Sequence, residues 1–249
     1  DWRITRRDVT RHLIQGIPLG LQFSVLAIGI IVMQSVIVQF DTLGGEMVSN
    51  AAQNGFGAAN KLNNLLMTPL NGLGAAMTSF TAQNLGAGDH ARIKKGTVQA
   101  LIIVWTMCLI SIAAGLLLSR GGGYLYIFLS PDKVTAETMR YGNTYLYVDL
   151  SLYLFLGFIF VVRNCVQGIG KPQFVLGAGA AELAARVSVC LLLPPLIAGG
   201  AVNSDAPRAA VYALCFADPF AWMAADAVLL VPFLRNIMKM DYRYLKGTM

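Results

Sequence analysis

Charge is missing from this 249-residue chain in long blocks, and that pattern restricts what it can fold into. Residues 13–40 and 97–119 contain no Asp, Glu, Lys or Arg. The block 47–88 holds Lys61 alone, 141–162 holds Asp149, 172–204 holds Glu182 and Arg186, and 209–234 holds Asp218 and Asp226. A helix needs about 20 mainly apolar residues to cross a hydrocarbon core of about 30 Å. Each block is long enough. The strict alternation over about 10 residues that a membrane barrel requires is absent. The expected fold is all-α: a polytopic membrane protein whose six transmembrane helices form one bundle, spanning 13–39, 48–84, 97–119, 138–162, 173–198 and 209–234. Composition argues the same way, because 13% charged residues is half the ~25% that coats a soluble domain.

The flanks set orientation, since Lys and Arg concentrate in cytoplasmic loops. Six spans place both termini on one side, and that side collects 13 Lys and Arg against 4 on the other, with Lys61 and Arg186 inside spans. The expectation is a multi-pass protein of the plasma (inner) membrane with both ends cytoplasmic and lipid as a partner. Its basic residues lie scattered in four short cytoplasmic pieces without interleaved aromatics, which argues against nucleic-acid binding. The chain opens at Asp1 without an initiator Met, and a piece of a longer protein is expected. Trp2–Gln15 reads as an amphipathic approach to the membrane, with Pro18 opening the first span. Residues 120–137 read as an outer loop with a short interfacial piece at Tyr124–Leu129, and 199–207 as an outer turn.

Catalytic chemistry finds no foothold. His12 and His90 sit in flanks as solvated residues, and no zinc, serine-hydrolase or phosphate-loop motif occurs. Cys108, Cys165, Cys190 and Cys215 lie in apolar stretches without CxxC spacing and read as small buried hydrophobes. No enzyme, cofactor or metal site is expected.

Polar residues inside spans carry the functional signal, because in lipid they must face protein or water. In the second span Asn50, Asn54, Lys61, Asn64, Thr68 and Asn71 fall within about 100° of one another on a helical wheel. Such a stripe lines a wet cavity or supplies interhelical hydrogen bonds. Pro69 marks a kink there. Asp149, with Tyr145 one turn away, is either a cavity-facing carboxylate that carries a proton or cation, or an acid solvated from the outer side. Glu182 and Arg186, four apart with the acid first, read as a self-neutralised structural pair. Asp218 precedes Pro219, which predicts a helix break; Asp218 caps the restarted helix or joins Asp226 in binding a cation. The run Gly177-Ala-Gly-Ala-Ala181 suits close helix packing.

Several segments are also familiar. Pro69-Leu-Asn-Gly-Leu-Gly, then Ala82-Gln-Asn-Leu-Gly-Ala-Gly88 and Arg92, are joined by Ile17-Pro18 with Gln22 and Gln34. Further on come Arg163-Asn164 with Gln167-Gly-Ile-Gly-Lys-Pro172, Glu182 with Arg186, and Ala217-Asp-Pro-Phe-Ala-Trp222. Taken in chain order, across nearly the whole chain, they resemble the MATE (multidrug and toxic compound extrusion) family. The resemblance implies the C-terminal half of a twelve-helix fold, with an N-terminal six-helix lobe missing. It also implies a cation-coupled antiporter, driven by protons or sodium, that exports organic and often cationic compounds by alternating access. The polar residues inside the spans, read on their own, give the candidate substrate and ion pathway as Asn54, Lys61, Asn64, Asn71, Tyr145, Asp149 and Asp226; the resemblance carries over no known ion site. The alternatives are a lipid-linked oligosaccharide flippase of the same superfamily and a nonfunctional bundle fragment. The chain departs from some sodium-coupled members in its first helix, which carries the amides Gln15, Gln22, Gln34 and Gln39 in place of an acid.

Overall fold

A computed structural model describes residues 5–239, apart from the side chains of Arg11 and Gln15. Helix α1 (Arg6–Gln39) starts in a capping box: Thr5 Oγ1 accepts from the Asp8 amide at 3.3 Å and Asp8 accepts from the Thr5 amide at 3.0 Å. It runs on through Pro18. The expected approach segment and first span are therefore one helix from Arg6 onward, and Trp2, at the start of that segment, lies outside the described residues. A small antiparallel hairpin, β1 (Thr42–Leu43) and β2 (Glu46–Met47), then turns the chain into α2 (Ala51–Gly86).

The turn is held by a residue that hydropathy alone treats as a boundary marker. Asp41 is fully buried, and its carboxylate accepts from the Ala52 amide at 3.0 Å and the Gln53 amide at 2.9 Å. It therefore caps α2 from eleven residues away, because the side chain at the cap position, Asn50, makes no capping bond. Loss of an N-cap carboxylate costs about 0.5–2 kcal/mol. Asp41→Ala is expected to destabilise the fold by that amount, with Asp41→Asn recovering part of it. Thermal unfolding of both variants in detergent, followed by helical circular dichroism, checks this.

Helix α3 (His90–Ser119) is capped by Asp89, which accepts from the Arg92 amide at 2.9 Å. His90 is the first residue of that helix and is buried, in contrast to the solvated position expected for it. A four-residue α4 (Leu125–Phe128) follows, with Tyr124 and Leu125 buried and Tyr126 and Ile127 exposed. Next come α5 (Ala136–Ser151) and α6 (Tyr153–Gly168), bent by 57° across Leu152. Helix α7 (Pro172–Ala198) stops at Gly199, whose φ of 72° only glycine adopts readily. Helices α8 (Arg208–Cys215) and α9 (Ala217–Pro232) break at Phe216, and a six-residue π turn closes the described chain.

Segments 6–39, 90–122, 172–198 and 208–238 are long and apolar enough to cross a membrane, and the bent α5–α6 pair makes a fifth. Helix α2 has the length, 36 residues, but its amides keep it out of that set. At the α5–α6 bend side chains bond to main-chain carbonyls. The Ser151 hydroxyl donates to the Val148 carbonyl at 2.7 Å. Side chains of α3 serve the carbonyls beyond the break, Cys108 reaching Tyr153 at 3.5 Å and the Trp105 indole donating to Leu154 at 3.2 Å.

Packing divides the helices into two groups. Helix α2 lies against α3, α5 and α6, while α7 lies against α1, α8 and α9, and the α6–α9 contact joins the groups. Where α2 crosses α5, a Cβ at Gly142 would meet the Tyr124 hydroxyl and, at 2.8 Å, the Gly55 carbonyl, so the two backbones approach closely with the Tyr124 hydroxyl beside them. Helices α1 and α2 touch little, and a cavity opens between them.

Candidate functional site

The cavity has a volume of about 540 Å³. Helix α1 contributes Leu19, Gln22, Phe23, Leu26 and Ile30. Helix α2 contributes Asn60, Asn63, Asn64, Met67, Asn71 and Ala75. Its back wall carries Tyr145, Arg163, Asn164, Glu182, Arg186, Asp218 and Trp222. One face of the cavity is thus amide-rich and one is ionic.

The ionic face is a chain of four alternating charges. Arg163 Nη2 meets Glu182 Oε2 at 2.7 Å, Glu182 Oε1 lies 3.6 Å from Arg186 Nη2, and Arg186 Nη2 meets Asp218 Oδ1 at 2.6 Å. Arg186 also donates through Nε to Asp218 at 2.9 Å, a two-bond grip that only a guanidinium makes. Helix α1 leaves room for it at Gly29, where a Cβ would lie 3.1 Å from both Cδ and Nη1 of Arg186. The Tyr145 hydroxyl donates to Asp218 Oδ2 at 2.9 Å. With all four groups ionised the chain Arg163–Glu182–Arg186–Asp218 sums to zero.

Asp149 is the odd charge. It is fully buried one layer behind the cavity wall, within electrostatic range of Asp218 and Arg186. Its Oδ2 accepts from the Asn63 amide at 2.8 Å, and its Oδ1 has no hydrogen-bond partner among the described residues. Gln22 Oε1, Asn63 Oδ1 and Arg163 Nε are likewise buried without one. A buried polar atom left unsatisfied costs about 1–3 kcal/mol. Atoms of this kind also occur elsewhere among the described residues, at His90, Tyr124 and Asp226 for example, and the Asp149 carboxylate is the one beside the cavity's ionic face where water, a proton or an ion lowers the energy.

The expected pathway residues are placed unequally. Asn64 and Asn71 line the cavity, and Tyr145 and Asp149 form its buried acidic corner. Asn54 instead lines a recess near the hairpin end, with Asn50, Asp132 and Glu137. Lys61 lies over the Phe128 ring, 6.0 Å from its centroid, away from the cavity. Asp226 lies in a separate groove between α3, α6 and α9. The structural pair Glu182–Arg186 is present at 3.6 Å, and each partner also makes a shorter contact with a different helix, at Arg163 and Asp218. One reading needs correction. Asp218 is not a helix cap; it is the anion that holds Arg186, and the break at Phe216 brings it there.

Three contributors escaped the sequence reading. Arg163 stands next to the end of an uncharged block, where hydropathy places it among the cytoplasmic loop cations, yet α6 runs on to Gly168. Asn60 and Asn63 lie beside the amide stripe, and the wheel alone gives no reason to add them. The doublet Asn63-Asn64 was the available signal.

The sequence model of the MatE family matches residues 27–192. A probable multidrug resistance protein, YpnP, of Bacillus subtilis is 30% identical over 174 residues, covering 65% of this chain and 33% of that protein. Among solved structures, an outward-facing multidrug resistance MATE family transporter of the MOP superfamily superposes with a TM-score of 0.74 at 17% identity, over 96% of this chain and 49% of its own. A MOP superfamily transporter from Pyrococcus furiosus, whose binding pocket is described as having reverse polarity that suggests a different function, gives a TM-score of 0.67 at 16% identity, over 95% and 49%. The chain thus spans about a third of the curated relative and about half of each solved chain.

Proposed function

Since this chain belongs to the MatE family, a family of multi-pass membrane transporters, we propose that it forms one six-helix lobe of a cation-coupled multidrug exporter. The observation that carries the coupling is Asp149: a fully buried carboxylate left over after four neighbouring charges cancel. An uncompensated anion at membrane depth is costly, so it holds a proton or a small cation such as sodium. Taking up or releasing that ion changes the charge beside the cavity, and the ion and an organic cation then alter each other's affinity by the same factor. Substrates are small organic compounds, often cationic, drawn to the amide-lined cavity with its aromatic and Met walls at Phe23, Met67 and Trp222.

A second six-helix lobe, from the same protein or a partner, closes the open side between α1 and α2 and supplies the other half of an alternating-access machine. The protein sits in the plasma membrane with both ends cytoplasmic, as the Lys and Arg distribution suggests. The flippase alternative fits less well. A pyrophosphate calls for free cations, while both arginines of the cavity are ion-paired and Lys61 faces Phe128.

The test is dye export in liposomes holding this chain with its second lobe, under an imposed proton or sodium gradient. Export that follows one of the gradients and stops when it is collapsed is the expected result. Export indifferent to both gradients refutes the coupling.

A further inference from the structure

Away from the cavity, on the other faces of α6 and α9, lies a groove of about 600 Å³. Trp105 of α3, Phe155 and Phe158 of α6, and Met223 and Leu230 of α9 form its walls. Phe158 stacks edge-on against Phe233 at 5.5 Å beneath it. The groove is apolar except for Asp226. That carboxylate makes no hydrogen bond or ion pair among the described residues, and its Oδ1 is buried. The nearest cation in electrostatic range, Arg163, is committed to Glu182 at 2.7 Å. The five wall residues named above belong to segments that cross the membrane by length and apolarity, and Trp105, Phe155, Met223 and Leu230 are exposed on the outer surface of the bundle.

We propose that this groove is a second binding site, for an amphiphilic organic cation that enters from the bilayer. Charge complementarity and shape select that ligand. A lone carboxylate on an apolar surface at membrane depth is costly, and a monovalent cation arriving within the lipid removes the cost by pairing with it. The walls suit the rest of such a molecule: aromatic faces attract the cationic centre, and Met223 adapts to varied apolar bodies. The volume falls within the ~300–1,000 Å³ of small-molecule sites. The site shares no lining residue with the cavity, and its carboxylate feels the cavity only through Arg163 and Glu182, so a cation there does not contact Asp149. For its ligand class the proposal rests on the exporter reading; the binding itself does not.

The experiment measures binding, without transport. The chain is placed in phosphatidylcholine nanodiscs, and labelled tetraphenylphosphonium is titrated against protein-free discs. Saturable binding is expected. Asp226→Asn should weaken it at least tenfold, Phe155→Ala severalfold, and Asp226→Glu less than threefold. Asp149→Asn, which alters the cavity, should leave it within twofold. The anionic isostere tetraphenylborate should show no saturable binding. Wild-type affinity in Asp226→Asn, or equal binding of tetraphenylborate, overturns the proposal. So does loss of the signal when phosphatidylethanolamine is added, which would assign the groove to a lipid amine. A failure of ion coupling in the liposome assay leaves these results unaffected, so the two readings are separable.

Discussion

Asp149→Asn is expected to uncouple export from the ion gradient while leaving the lobe folded. The asparagine keeps the size of the carboxylate and retains an oxygen for the 2.8 Å bond from Asn63. What it removes is the charge left over once Arg163, Glu182, Arg186 and Asp218 cancel. Without that charge the site has no electrostatic reason to hold a proton or cation, and the ion no longer changes drug affinity. Coupling free energies of about 1–3 kcal/mol correspond to factors of about 5–150. A loss of that size is therefore expected in the ratio of drug affinities with and without the driving ion. Asp149→Glu should keep part of the effect. Isothermal titration of a dye at two ion concentrations reads the ratio, and circular dichroism shows that the fold is intact. An unchanged ratio in Asp149→Asn places the coupling ion elsewhere.

Arg186→Met is expected to be the most damaging single change to stability. Met approximates the arginine stem, so packing is largely kept and the loss is electrostatic. Arg186 faces Asp218 at 2.6 Å and Glu182 at 3.6 Å, and both acids are buried. Removing one partner of a buried ion pair costs about 3–5 kcal/mol, because the other charge is left uncompensated. Here Asp218 loses its cation while Asp149 stays in electrostatic range. Unfolding in mixed micelles should show the drop. The double variant Arg186→Met, Asp218→Asn should recover more than half of it. A single variant as stable as the parent would mean that the network contributes no net stability.

The residues revealed the helices more readily than the site. Uncharged blocks report burial in lipid directly, so the helical, multi-pass class was legible, and the order of short motifs pointed to the family. The bend at Leu152 was not legible, because no Pro or Gly stands there, and the α3 side chains that serve the carbonyls beyond it reach across from another part of the chain. The ionic network was half visible. Spacing on one helix placed Glu182 beside Arg186, but spacing says nothing about contacts between helices, and Arg163 and Asp218 enter from α6 and α9. Asp149 and Asn63 are 86 residues apart, a pairing fixed entirely by how α2 lies on α5 and α6.

The crossing of α2 over α5 has a mechanical consequence. At Gly55 and Gly142 main chain lies close against main chain, with the Tyr124 hydroxyl alongside, so this joint has little slack to give. Neighbouring contacts made by long side chains can slide by trading one conformer for another. A joint this close cannot, and it locks α2 to α5. Helices α2 and α5 therefore travel as one piece, and a rocking of the two helix groups is taken up at the contacts between the groups, such as that of α6 with α9.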